Sequence, residues 1–242
     1  MALVRADGRF WLAETADVMV VSPHPDDAEF GVAGTVARWV KEGRRVIYVV
    51  CTAGDKGTSD INMKPEKLVE IRKKEQQAAA GILGVSEVIF LGLPDQGLEE
   101  TPGFRKLLVR LIRQYRPDIV VTADPYRRYI WHRDHRVTGQ TTLDAIFPYA
   151  RDHLAYPDLL EEGLMPHKVK EVWFWAAEEI NHRSDITGTF DLKLQALRCH
   201  DSQMREMDEP NPEGWLKQRC ADIAKEEDFE LGEAFHRVEI LR

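Results

Sequence analysis

Two short segments concentrate the side chains able to do chemistry. The first is Ser22-Pro23-His24-Pro25-Asp26-Asp27-Ala28-Glu29. An imidazole beside carboxylates suits a divalent metal, and a catalytic zinc needs three protein ligands and one open position. His24 and Asp27 could supply two of the three. Pro25 stiffens the turn between them, so Asp26 projects differently and is free to handle a proton. The competing explanation is an acidic helix N-terminus, where the macrodipole favours Asp26, Asp27 and Glu29. It accounts for the acids and leaves His24 unexplained. The second segment is Trp131-His132-Arg133-Asp134-His135-Arg136. His135 could complete the metal set, with His132 beside it. The alternative is a loop with two surface histidines and Asp134 as a helix N-cap. Each alternative stands while its segment is read alone. Two His/Asp clusters that both follow strand ends weigh toward a site.

The elements that must position these residues form an alternating pattern. Val18–Ser22 reads as a short buried strand, 30–42 as a helix ended by Gly43, and 45–52 as a second strand rich in β-branched residues. Residues 53–60 form a polar loop. Pro65 opens a long helix that Gly84 stops. Strands at 87–91 and 118–122 flank a helix over 104–115, which is cut before Pro117. Asp134 is read as the cap of a helix to about Phe147. This order implies an α/β, Rossmann-like fold, a mostly parallel sheet with helices on both faces, whose ligands bind beyond the carboxyl ends of the strands. The C-terminal part is less regular. Residues 148–170 give no clear period, 170–175 and 186–190 read as further strands, and Asp191 can cap a helix through His200. Gly31 and Gly34 do not make a G-x-G-x-x-G fingerprint, so a dinucleotide-dependent oxidoreductase is disfavoured.

The two segments together resemble the PIG-L, or LmbE-like, family of zinc deacetylases. That family pairs His-Pro-Asp-Asp after the first strand with a later His-x-Asp-His-x-x-x-Gly. Here these stand as His24-Pro25-Asp26-Asp27 and His132-Arg133-Asp134-His135 with Gly139. The likeness continues through 71–75, Leu91-Gly92-Leu93-Pro94-Asp95, Arg116-Pro117-Asp118 and the stretch ending His200-Asp201-Ser202-Gln203. It spans about residues 17 to 205 and reads 1–242 as a single domain. The resemblance implies that His24, Asp27 and His135 hold Zn2+ and that Asp26 is the general base. It gives His132 the tetrahedral intermediate or the leaving amine, and Arg72 and Asp95 contacts to an amino-sugar substrate. Asp134 would support the set. Relatives often assemble as trimers or hexamers, so a homo-oligomer is implied. Arg133 departs from the family, which commonly carries Pro there, and adds a charge at the mouth of the site.

Arg72 also stands out without the family. Leu68, Arg72, Glu75, Ala79 and Ile82 share one helix stripe that is otherwise apolar. Charges on an inward stripe must be paired or reach a cleft. An Arg72–Glu75 ion pair is the plain alternative to a substrate contact. His200 reads as a buried structural histidine, and Tyr126, Tyr129 and Trp131 as loop packing or a wall for a sugar ring. His153, His167, His182 and His236 show no ligand spacing.

Composition narrows the function classes. Against 33 Lys and Arg stand 41 Asp and Glu, a net charge of −8, and an acidic surface repels a phosphate backbone. No nucleic-acid partner is expected. Three cysteines without a C-x-x-C pair argue against a thiolate metal site and for a reducing, cytoplasmic location. The stretch MALVRADGRFWLAETAD lacks the apolar core of a signal peptide, and no membrane span is expected. Two rivals to a deacetylase remain. A phosphoesterase usually needs two metals and more acidic ligands, whereas one His-Asp-His set suits a single zinc. A non-catalytic sugar- or metal-binding module would gain nothing from the spare carboxylate of Asp26.

Overall fold

The apolar runs of the N-terminal half become strands buried on both faces. The computed structural model describes residues 15–240. Most of the N-terminal stretch read above as lacking an apolar leader lies outside the described residues. The strands are β1 (Val18–Ser22), β2 (Val46–Thr52), β3 (Glu87–Leu93), β4 (Ile119–Ala123), β5 (Glu171–Trp175), β6 (His182–Asp185) and β7 (Gly232–Glu239). They form one sheet of order β3-β2-β1-β4-β5-β7-β6. The first five strands run parallel to one another, and β7 runs antiparallel to both β5 and β6.

Side chains alternate between two cores, as the period of a strand requires. Met19, Val21, Ile47, Val49, Val120, Val172 and Phe174 face one core. Val18, Val20, Val46, Tyr48, Val121, Trp173 and Trp175 face the other. The first core is closed by α3 (Pro102–Tyr115), by α4 (Arg133–Asp144) and by the π-helical turn Ala145–Tyr149 that follows it. The second is closed by α1 (Asp27–Lys41), α2 (Pro65–Leu83) and α6 (Phe190–Arg198). A short α5 (Pro157–Glu161) lies within the stretch that shows no period. α7 (Asp201–Met204) follows α6 directly, and α8 (Pro212–Ala224) packs over a third cluster with Ile186, Phe190 and Leu231.

Three local expectations are corrected. Residues 186–190 are not a strand: β6 is the polar His182–Asp185, and Ile186 and Phe190 are buried in the turn and helix start that follow. α6 begins at Phe190 after Thr189, so Asp191 lies in its first turn instead of capping it, and the helix ends before His200. Asp134 does not cap α4 either. His132 takes that position and its ring accepts the Asp134 N–H.

The strand order reverses at β1. β2 and β3 lie on one side of it and β4 and β5 on the other, which opens a crevice beyond the carboxyl ends of β1 and β4. Both His/Asp segments emerge into this crevice. No described helix is long and apolar enough to cross a membrane.

Candidate metal centre and active site

The turn after β1 is held in an unusual conformation. Asp26 has φ 93 and ψ −31, a left-handed setting that a β-substituted residue adopts only under constraint. The constraint comes from both sides. The Asp26 N–H donates to Gln76 Oε1 at 3.1 Å, and Arg72 donates to the carbonyl of Pro25 at 2.6 Å. Strain at this residue separates the aims of two adjacent carboxylates. Asp27 turns toward the histidines, and Asp26 keeps an oxygen 3.4 Å from the Arg72 guanidinium.

Asp27 bridges two imidazoles with different oxygens. Its Oδ2 is 3.0 Å from His24 Nδ1, and its Oδ1 is 3.2 Å from His135 Nε2. Tetrahedral zinc with ligands at ~2.0–2.1 Å separates neighbouring donor atoms by about 3.3 Å. The two observed spacings are of that length but run to different oxygens of Asp27, so each is a contact to one ring; the donor chemistry, two ring nitrogens and a carboxylate, suits zinc. The other nitrogen of His24, Nε2, lies 3.2 Å from Asp134 Oδ2 and 3.2 Å from Asp95 Oδ1. A carboxylate on Nε2–H fixes the tautomer and leaves the Nδ1 lone pair for a metal. Among the described residues, two sets bring one donor atom each within 4.8 Å of one another: His24, His132 and His135, and His24, Asp95 and Asp134; Asp27 belongs to neither.

α4 delivers His132 and His135 because it crosses the end of β4 at very short range. A Cβ at Gly139 would meet the Ala123 carbonyl at 2.3 Å, so only glycine permits the approach. Asp134, fully buried, is anchored by the backbone N–H groups of Gln96 at 2.7 Å and Leu98 at 3.3 Å. This ties the α4 start to the loop after β3. Asp95, on the same loop, accepts the Lys56 N–H at 2.9 Å.

The electrostatics follow from crowding. Burial pushes the Asp26 carboxyl up, the Asp27 charge adds to the push, and opposing cations leave it at about 7. Burial would also raise Asp27, but His135 and His24 hold it far below the usual carboxylate range. Burial would lower His24, yet Asp134, Asp27 and Asp95 together raise it to about 11. His132 is lowered by burial and by the charges of His24 and His135. A site that gathers this much negative charge around neutralisable nitrogens is poised for a cation.

Comparison with known proteins gives the family. The PIG-L family model, described as GlcNAc-PI de-N-acetylase, matches residues 19–146. The chain belongs to this family. The diacetylchitobiose deacetylase of Thermococcus kodakarensis is 35% identical over 189 residues, covering 78% of this chain and 70% of that protein. The mycothiol S-conjugate amidase of Streptomyces coelicolor is 36% identical, covering 90% and 92% respectively. The solved N,N'-diacetylchitobiose deacetylase of Pyrococcus horikoshii superposes with a TM-score of 0.86 at 31% identity, covering 93% of this chain and 84% of that one.

In this PIG-L chain the remaining expected residues fall as follows. Arg72 is 4% exposed and donates to the carbonyls of Gly54 and Pro25. Gly54 and Gly57 wrap it so closely that a Cβ at either would lie 2.1 Å or 2.5 Å from its guanidinium. The Arg72–Glu75 pair is not formed. Glu75 instead accepts the Ser202 N–H at 2.8 Å and its hydroxyl at 2.7 Å. Asp95 is 4% exposed and sits behind His24. Arg133 opens α4 with an exposed side chain. Trp131 packs its ring 4.5 Å from that of His135, whereas Tyr126 and Tyr129 are 65% and 88% exposed.

Sequence reasoning missed the support behind Asp26. Gln76 accepts from Asp26 N and donates to Glu29 Oε1 at 2.9 Å, and Glu29 Oε2 pairs with His200 Nε2 at 3.1 Å. All three side chains are fully buried. Gln76 falls one residue after Glu75, one turn beyond Arg72, and an uncharged amide on a helix gives no sequence signal. His200 is buried as expected, but it is paired to the helix that carries the site.

Proposed function

We propose that the chain is a zinc-dependent N-deacetylase acting on a small N-acetylglucosamine-containing sugar or glycoconjugate. The observation that carries this reading is the convergence of His24 and His135 on the two oxygens of Asp27, at 3.0 Å and 3.2 Å, beside a second carboxylate, Asp26, held in a strained backbone and turned away from both rings. His24, Asp27 and His135 would hold the ion. Zinc bound there supplies polarisation of the amide carbonyl and a water that ionises near ~pH 7.

The chain's own groups do the proton work. Asp26, ionised, takes the proton of the attacking water at its carboxylate. A base with a pKa near the working pH combines a useful ionised fraction with proton affinity. His132 Nδ1 accepts the Asp134 N–H at 3.1 Å, so a neutral ring carries its proton on Nε2. That Nε2–H is available to hydrogen-bond the oxyanion, and the proton that Asp26 took from the water passes on to the departing amine. Asp134 and Asp95 hold His24 in its metal-binding tautomer, and Arg72 with Gln76 keeps Asp26 turned away from the ligand set.

One observation favours a variant of this reading. The nitrogens of His24, His132 and His135 also converge, which would make His132 a ligand. Metal analysis separates the two: His132→Ala keeps its zinc if Asp27 is the third ligand and loses it otherwise. The function itself is tested by incubating zinc-loaded protein with N-acetylglucosamine, its disaccharide and its malate and inositol conjugates, and assaying acetate. Release that stops on chelation and returns with zinc is expected. No release from any of them excludes the reading.

A further inference from the structure

A cavity of about 390 Å³ opens directly beside the candidate metal ligands, and Asp27 and His135 belong to its lining. Its other charged side chains are Arg127, Lys193, Arg219 and Glu233. Most of these groups are matched. Asp27 lies 3.2 Å from His135, and Lys193 donates to Glu233 at 2.6 Å. Arg127 and Arg219 are left over: among the described residues neither has a hydrogen-bond or ion-pair partner. We propose that this cavity is an anion subsite, and that the enzyme prefers amide substrates carrying a carboxylate or phosphate, whose charge Arg127 and Arg219 receive. The proposal rests on the amide-hydrolase reading given above.

Three observations carry it. The first is the charge balance. The chain carries a net charge of −8, so acids are plentiful, yet those near the two arginines are taken. Glu178 accepts from Arg128 at 2.7 Å, and Asp222 accepts from Gln218 at 2.9 Å. With Lys193 and Glu233 cancelling, the cavity keeps two positive charges that nothing in the described chain answers, and a metal ion on Asp27 and His135 would add to them. The second is how the arginines are held. Arg127 lies over the Trp131 ring, 4.5 Å from its centroid, and Arg219 over the Trp215 ring at 5.6 Å. Trp215 and Arg219 stand one turn apart on α8, so the helix puts them on one face. A guanidinium resting on an aromatic face is restrained there and keeps its N–H donors free around its edge. Those donors match the paired oxygens of a carboxylate or phosphate. Phe30, Trp175 and Ile223 add apolar lining, where a charge pair is less screened than in open water.

The third observation is the distance to the chemistry. The Trp131 ring that carries Arg127 also packs 4.5 Å from the ring of His135, and its indole N–H donates to the Asp124 carbonyl at 2.9 Å, which fixes it in place. A single indole therefore separates Arg127 from a proposed zinc ligand, and a charge on the same small molecule as the scissile amide spans that interval. Arg127 is half-buried and Arg219 exposed, so an incoming solute meets both. Arg72 and Asp95, the sugar contacts that the family resemblance implies, do not line the cavity, and the two arginines are an addition to that set. The anion can belong to the acyl arm or to the sugar side of the amide. Both present the same acceptor oxygens, and the test separates them.

The test uses the zinc-loaded full chain with two matched pairs of substrates, following the freed amino sugar. On the acyl side, N-succinylglucosamine is compared with its neutral amide, N-succinamoylglucosamine. On the sugar side, N-acetylglucosamine 1-phosphate is compared with methyl N-acetylglucosaminide. In one pair kcat/KM for the anionic member should exceed that of its neutral partner by about ten-fold or more, the usual worth of hydrogen bonds to a charged group. The pair that shows the excess identifies the arm that enters the cavity. The excess should shrink several-fold in Arg127→Gln and in Arg219→Gln, and should fall as salt is raised. Taking the ratio within each variant cancels any general loss of folding or of zinc. Ratios of one or below in both pairs, with the neutral members cleaved, overturn the anion subsite and leave the deacetylase reading standing. A preference that survives unchanged in both arginine variants overturns it too, because the charge is then met elsewhere. No cleavage of any of the four, with zinc bound, removes both readings.

Discussion

Two buried charge clusters lie within one helix of each other and are built in opposite ways. At the middle of α1, Glu233 accepts the N–H groups of Gly34 and Thr35, the Thr35 hydroxyl and the Lys193 ammonium, at 2.6 to 3.0 Å. Every charge there has an opposite or a donor, and the backbone is regular. At the start of α1, three carboxylates converge on one imidazole, His135 Nδ1 is buried with no partner, and Asp26 holds a left-handed backbone. A cluster that only holds a fold together satisfies itself. The second crowds three carboxylates around one imidazole, where a bound cation would offset the negative charge, and it holds a strained backbone at Asp26.

The sharpest way to break this contrast is to remove a ligand. His24→Ala and His135→Ala should each lose zinc and all measurable deacetylation while remaining folded, read by metal analysis and thermal melting together. The Lys193–Glu233 cluster should respond in reverse. Lys193→Met strands a buried carboxylate, so unfolding by denaturant should show a loss of about 3–5 kcal/mol while zinc content stays intact. If Lys193→Met emptied the metal site, or if His135→Ala destabilised the fold as strongly, the two clusters would not differ in kind.

Smaller effects sharpen the same contrast. Asp134→Asn keeps a hydrogen-bond acceptor near His24 but removes the charge, and outer partners of this kind are worth ten- to a hundred-fold in metal affinity. Competition with a chelator would measure it. Arg72→Met should leave zinc bound and move the acidic limb of the pH–rate profile upward. The guanidinium 3.4 Å from Asp26 favours its ionised form, so losing that charge raises the pH at which the base becomes available. An unmoved or lowered limb would mean that Asp26 does not control it.

The central strands and the two His/Asp segments were legible because local sequence encodes them. β1, β2 and β4 are buried on both faces, so they read as continuous apolar runs. His24, Asp26 and Asp27 announce themselves by type within four residues. β6 was misplaced because the edge strand His182–Asp185 is polar, while the apolar Ile186 and Phe190 beside it serve a different cluster. β7 and α8 carry no pattern strong enough to be read from the sequence. β7 pairs antiparallel with β5 and β6 and its burial falls away toward Glu239, a weaker pattern than a parallel core strand. The helper contacts are less readable still. Asp134 meets His24 across 110 positions, and Gln76 meets Asp26 across 50, so only the folded chain brings them together. The expected roles of Arg72 and Asp95 rested on resemblance, and both side chains are turned to neighbours within the protein.

The most direct measurement is made on Asp26→Asn. The substitution preserves shape and removes the carboxylate that has no place in the ligand set. Zinc content should equal that of the wild type, and kcat for acetate release should fall by roughly 10²–10⁴-fold, the usual worth of general acid–base catalysis. The acidic limb of kcat/KM, which rises with pH as Asp26 loses its proton, should change with it. Near-normal turnover with zinc in place would contradict the assignment of the base, and loss of zinc would contradict the separation of the two aspartates on which the account is built.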